Sequence, residues 1–228
     1  MSEDPTDRLP DRATASRTRT ATDVWDRPVG AHDLDWMAEA LAMAEHGLSA
    51  GELPIGAVVV AGGKVVGRAF TQERTQGRLL VHAELLALDQ ADRTHAVTRV
   101  GTVLYTTLEP CLMCLGAAAA AMVDRVVFAL ASPGDGAGDL ARLWDDRRRA
   151  DDIAHVRLPP VTGGVGADAS RDLFRRFRDA RPATDDPLAA WAESLLADPP
   201  HTVADGAEAL QDAAAFEDAP DPEPEPER

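Results

Sequence analysis

His82-Ala83-Glu84 and Pro110-Cys111-Leu112-Met113-Cys114 place three soft metal ligands and one carboxylate in a chain that has no other cysteine. Zinc takes Cys thiolate and His nitrogen, and three protein ligands leave its fourth position open for water, which is the arrangement of a catalytic site. Bound zinc lowers the pKa of its water to about 7, so hydroxide forms near neutrality. Glu84, two residues past a ligand, can reach that water without binding the metal, take its proton and pass it to a leaving group. The set predicts metal-assisted hydrolysis, with His82, Cys111 and Cys114 as ligands to one zinc and Glu84 as proton carrier.

Two other readings of Cys-x-x-Cys explain less. A closed zinc knuckle needs a second pair of ligands, and His32, His46, His95, His155 and His201 each stand alone. A redox pair gives no reason for His-Ala-Glu upstream.

The elements that must bring these residues together can be read from periodicity. Leu34, Met37, Ala38, Leu41 and Ala44 recur at helical spacing, so a helix is expected from Asp33 to about Ala50, ended by Gly51. Ile55–Val60 and Val65–Phe70 are β-rich runs joined by Ala61-Gly62-Gly63, a hairpin. A polar loop, Thr71–Arg78, leads to a helix beginning near His82. Thr102–Thr106 and Val126–Leu130 are strands by their β-branched and aromatic content. Between them, a helix from Cys111 to about Met122 carries five consecutive alanines that would let it lie close to a sheet. A helix over Leu140–Arg149, a fifth strand over Ala154–Leu158, a helix over Asp168–Ala180 and a short one over Leu188–Leu196 complete the expectation.

This order predicts an α/β fold with one mixed five-stranded sheet covered by helices on both faces. Both metal motifs then fall at helix starts. The positive dipole ends of two neighbouring helices favour thiolate at the cysteines.

Composition supports one domain. At 228 residues and 45% hydrophobic content the chain can build a real core. Its ends differ from its middle, so residues 31–180 are read as the folded domain. Residues 1–30 are read as a disordered tail, and residues 181–228, acidic and Pro-rich, as a mostly disordered extension. The formal charge of −16 is largely in those ends, because residues 31–180 carry 16 Lys plus Arg against 20 Asp plus Glu. RNA binding is thereby left unsupported but not excluded. Cys111 and Cys114 leave no other thiol for a structural disulfide, as expected in a reducing compartment. No apolar run reaches the length of about 20 residues needed to span a bilayer, and the N-terminus lacks a signal-peptide pattern. A cytoplasmic protein without membrane contact is expected.

Trp36 to about Phe177 resembles the cytidine deaminase superfamily, and within it most the bacterial tRNA adenosine deaminases and the related guanine and cytosine deaminases. The matching segments are Glu52–Val60, Val81–Leu85, Leu104–Ala117 and Arg125–Phe128. The resemblance implies a three-layer α/β/α sandwich, one Zn2+ per chain, and very often a homodimer. Carried onto this sequence, it gives His82, Cys111 and Cys114 as zinc ligands and Glu84 as the proton shuttle. It gives Ala57 a backbone contact to the base, Thr71 the position of a substrate-binding asparagine, and the backbone N–H groups near Glu109 and Cys111 a part in orienting hydroxide and substrate.

The departures fall on the substrate side. Thr71 cannot offer an amide, Arg78–Val81 replaces the usual Asp-Pro-Thr-Ala before His-Ala-Glu, and Ala129–Pro133 replaces a polar segment that approaches the anticodon loop in the tRNA enzymes. Phe174-Arg175-Arg176-Phe177 does resemble their final helix. The expected function is hydrolytic deamination of a nucleobase or nucleoside, with ammonia released. The alternatives are a tRNA adenosine-to-inosine deaminase acting at the wobble position and a non-catalytic, deaminase-like binding module.

Overall fold

The computed structural model of the chain describes residues 29–94, 101–149, 157–181 and 187–197. The expected disorder of residues 1–28 and 198–228 lies outside the described residues. The elements run α1 (Asp33–Ser49), β1 (Gly56–Ala61), β2 (Lys64–Phe70), α2 (Glu73–Gln76), α3 (Ala83–Thr94), β3 (Thr102–Leu108), α4 (Leu112–Ala120), β4 (Arg125–Leu130), α5 (Gly138–Arg149), β5 (Val161–Thr162), α6 (Ala167–Asp179) and α7 (Pro187–Ala197). The sheet order is β2-β1-β3-β4-β5. β1 pairs antiparallel with β2 and β3, while β3–β4 and β4–β5 are parallel, so the sheet is mixed as expected.

Side-chain alternation along the strands makes the three layers. Ala57 and Val59, Leu104, and Val126 and Phe128 face α3 and α4, where they meet Ala83, Ala87, Leu115 and Ala118. Val58 and Val60, Tyr105, and Val127 and Ala129 face the other side and meet Met37 and Ala40 of α1. Because successive strand residues point to opposite faces, burial of both sets requires cover on both sides.

Helices ride closest to the sheet at two glycines. A Cβ on Gly67 would stand 2.1 Å from the Ala87 carbonyl oxygen, and one on Gly56 would stand 2.2 Å from that of Ala40. Both neighbours are helix backbone, which cannot swing aside as a flexible side chain can. Gly67→Ala is therefore expected to cost about 1–3 kcal/mol, read as a lower urea midpoint at unchanged slope. An unchanged midpoint would mean that α3 can lift off β2.

Three local expectations are corrected. The buried stripe of α1 starts at Asp33, not at Leu34, which is exposed. Asp33 accepts from Tyr105 Oη at 2.9 Å, from Arg125 Nη1 at 2.9 Å and from the Gly30 amide at 2.7 Å, so its charge is both paired and hydrogen-bonded. The fifth strand is Val161–Thr162, paired with Val126 and Val127. Of the expected Ala154–Leu158 strand, residues 154–156 lie outside the described residues, and Arg157 and Leu158 are not in a strand. The loop expected after Thr71 holds a four-residue helix, α2. Its second and third backbone N–H groups, at Arg74 and Thr75, donate to the fully buried carboxylate of Glu52 at 3.1 and 2.7 Å.

The core continues past residue 180. Ala192 and Leu195 of α7 pack with Phe174 and Phe177 of α6 and with Leu53, Leu108 and Leu130. Trp191 meets the Phe174 ring edge-on at 6.0 Å. Among the described residues no helix is long and apolar enough to cross a membrane.

Candidate metal and catalytic site

His82 directly precedes α3, and its carbonyl accepts the first helical bond, from Leu86 N. Cys111 is the N-cap of α4, with Cys114 in the first turn. Pro110 thus stands one residue outside the helix rather than at its first position, and its carbonyl accepts from Ala137 N. Both helices begin just after a turn away from the sheet, so their N-termini point into one space and favour negative charge there.

His82, Cys111 and Cys114 are the metal-capable group found among the described residues. The two sulfurs are 3.6 Å apart, and His82 Nδ1 is 3.8 Å from Cys111 Sγ and 3.5 Å from Cys114 Sγ. A tetrahedral zinc with ordinary bond lengths requires about 3.8 Å between sulfurs and about 3.6 Å between sulfur and nitrogen. The three donors therefore fit zinc as they stand.

Glu84 sits beside this triangle without being part of it. It is almost fully buried, its Oε1 accepts from Thr106 Oγ1 at 3.1 Å, and its Oε2 lies 3.5 Å from Cys114 Sγ. Burial pushes its carboxyl above the usual carboxylate range. The Cys111 thiol is pulled down to about 4, first by the hydrogen bond from Cys114 and then by His82. Cys114 is pushed up, because it shares its proton with Cys111 and is buried. His82 is pushed up to about 10 by the Cys111 sulfur first and then by Glu73. A negative sulfur beside a positive imidazole is the charge arrangement that a cation entering the triangle would replace.

The residues open onto a cavity of about 370 Å³. His82, Ala83, Glu84 and Cys111 line it, with Leu53, Ile55, Leu108, Leu188 and Trp191 among its apolar lining. Of the three expected substrate contacts, Thr71 and Glu109 line this space. Ala57 does not: it is fully buried between Ala69 and Thr106 in the sheet, and Ile55, on the same side and nearer the strand's start, takes the wall position. The Thr71 hydroxyl has Glu73 Oε2 at 3.1 Å and the Val81 carbonyl at 3.3 Å as acceptors, so its proton is directed into the protein. Glu109 braces the following loop. Its amide donates to Leu130 O, and its carboxylate accepts from Ser132 N at 3.0 Å and Gly138 N at 2.9 Å. The Glu109 amide, one of those expected to orient hydroxide and substrate, is therefore already bonded to the end of β4.

Sequence reasoning missed Glu73, Thr106, Leu188 and Trp191. Thr106 was visible only as a strand residue, and its role depends on the β3 register that sets it under Glu84.

Comparison with known proteins agrees with this geometry. Residues 31–130 match the family described as the cytidine and deoxycytidylate deaminase zinc-binding region. The tRNA-specific adenosine deaminase of Bacillus subtilis (strain 168) is 36% identical over 151 residues, covering 64% of this chain and 93% of that protein. A tRNA(Ile)-lysidine synthase of Deinococcus deserti is 40% identical over 149 residues, 64% of this chain but only 27% of its own length. Among solved structures, one from a study of A-to-I editing by tRNA deaminases at the wobble position is 28% identical, with a TM-score of 0.51 over 61% of this chain and 98% of that one. A second, a mutant protein crystallised with 8-azaguanine, is 26% identical, with a TM-score of 0.54 over 68% of this chain and 88% of that one. With a relative matched along almost its whole length and the zinc-binding region spanning α1 to β4, the chain belongs to the cytidine and deoxycytidylate deaminase family.

Proposed function

We propose that the chain is a zinc-dependent hydrolytic deaminase of a free nucleobase or nucleoside, with His82, Cys111 and Cys114 holding one zinc and Glu84 moving the protons. The observation that carries the chemistry is the Glu84 carboxylate, buried beside the ligand triangle yet outside it and held at one oxygen by Thr106. When bound, zinc supplies a water acidic enough to attack near neutral pH. Glu84 would take one proton from the attacking water and pass it to the ring nitrogen, where it stays in the product, then take the second from the new hydroxyl and pass it to the departing amine. The new C–O bond replaces the C–N bond, water is consumed and ammonia leaves. A raised carboxyl pKa suits this work, since the group must hold the proton between two transfers.

The small substrate is favoured by what surrounds the cavity. Leu188 and Trp191 of α7 add an apolar wall to a space at the lower end of the range for small-molecule sites, about 300–1,000 Å³. Arg176 and Arg178 of α6, and Arg181 just after it, are engaged within the protein. Arg176 is held by both oxygens of Glu45 at 2.6 Å, Arg178 by Glu193 at 2.8 Å, and Arg181 lies over the Phe177 ring at 3.6 Å. RNA affinity draws on several cationic side chains contacting phosphates at once, with release of the counterions condensed there. Arg176, Arg178 and Arg181 would first have to leave these intramolecular partners.

A second reading, deamination of tRNA adenosine to inosine, is favoured by the relatives of that name. One assay separates the two. Purified chain is tested for ammonia release on a panel of purine and pyrimidine bases and nucleosides, and for inosine in an anticodon stem-loop. Turnover of at least one free compound with slower or absent stem-loop conversion is expected. Efficient stem-loop conversion with no ammonia from any free compound would replace the first reading with the second.

A further inference from the structure

We infer that Glu73 is a positioning residue for the metal, its carboxylate facing the Nε2–H of His82 as acceptor and so holding the Nδ1 of that ring towards the two cysteines. The inference rests on the reading of His82, Cys111 and Cys114 as zinc ligands. His82 Nδ1 faces the sulfurs at 3.5 and 3.8 Å, and the opposite ring nitrogen, Nε2, faces Glu73 Oε1 at 3.6 Å. An imidazole that gives one nitrogen to a metal carries its proton on the other. A carboxylate accepting a hydrogen bond from that N–H fixes the ring's tautomer and orientation and makes the ligating nitrogen more basic. The 3.6 Å separation is an ion-pair contact a few tenths of an ångström longer than a hydrogen bond.

Glu73 is itself held. Its other oxygen accepts from Thr71 Oγ1 at 3.1 Å. It opens α2, a helix of four residues that could not stand alone in water. Glu52, fully buried in the loop between α1 and β1, supplies what that helix lacks by accepting from the amides of Arg74 and Thr75. A continuous path thus runs from the Glu52 carboxylate through α2 and Glu73 to the ligand His82. None of these links needs substrate to be present.

The competing role for Glu73 is a direct substrate contact, because it also lines the cavity. Zinc affinity separates the two roles. Wild-type full chain, Glu73→Ala and Glu73→Gln are titrated with zinc against a competing chelator, and each loaded protein is assayed for KM. Loss of a ligand's carboxylate partner costs about 10–100-fold in metal affinity, so Glu73→Ala should raise the zinc Kd by that factor. Glu73→Gln keeps an acceptor but not the charge and should fall between the two, and being isosteric it carries the test if the Ala variant does not fold. In the zinc-loaded wild type, 15N shifts should show His82 protonated at Nε2. Wild-type zinc affinity in both variants together with a raised KM would overturn the inference and make Glu73 a substrate contact. A wild-type chain that takes up no zinc at all would overturn the proposed function as well.

Discussion

Replacing Glu84 with Gln is expected to leave the chain folded and able to bind zinc, and to cut ammonia release by about 100-fold or more. The amide is isosteric with the carboxyl, and its oxygen can still accept from Thr106 Oγ1, so the side chain should stay where it is. It cannot take up a proton from attacking water. Burial also makes an ionised carboxylate costly at this position, so the variant should melt no lower than the wild type. Three readings on one preparation check this: metal content, melting temperature and turnover. Unchanged turnover with zinc retained would move the proton carrier to another residue.

The second large effect concerns the metal. Wild-type chain should contain about one zinc per chain by elemental analysis, and the Cys111→Ser/Cys114→Ser double variant close to none, because a neutral hydroxyl is a far poorer ligand than the thiolate favoured at Cys111. Stability should follow occupancy. A ligand that binds only the folded state stabilises it by about 4 kcal/mol when free ligand exceeds its Kd about a thousandfold. Adding a chelator should therefore lower the melting temperature of the wild type and leave that of the double variant unchanged. Full zinc occupancy in the double variant would remove the assignment of all three ligands.

Much of the layout could be read in advance, and the gaps have physical causes. Strands β1, β3 and β4 stand out because they are covered on both faces, and a run such as Val58-Val59-Val60 leaves few other choices. The clustering of His82, Cys111 and Cys114 was legible because metal chemistry restricts residue type severely. β5 was misplaced because two residues are too few to show a period, and Val161–Thr162 is a strand only through its pairing with β4. α2 was invisible for a related reason. Glu73–Gln76 has no apolar face, and the acceptor that steadies it, Glu52, lies 22 residues from Arg74. Asp33 was passed over in favour of Leu34 because hydrophobicity alone places Leu inside, while the partners that make a buried aspartate tolerable, Tyr105 and Arg125, come from strands far along the chain. Thr106 and Glu73 share this character, since each matters through a partner that only the folded register brings near.

The packing of α7 on α6 bears on the protein's behaviour in solution. Phe174 and Phe177 are fully buried, and Ala192 and Leu195 are among the side chains that cover them. A chain shortened to end at Ala180 would keep every candidate metal ligand and the whole sheet while turning part of that aromatic layer outward. Bare rings set beside Leu53, Leu108 and Leu130 would form the kind of contiguous apolar patch through which proteins stick to one another. Residues 187–197 cover that layer, so a form shortened to Ala180 is expected to aggregate through it while keeping the candidate metal ligands and Glu84.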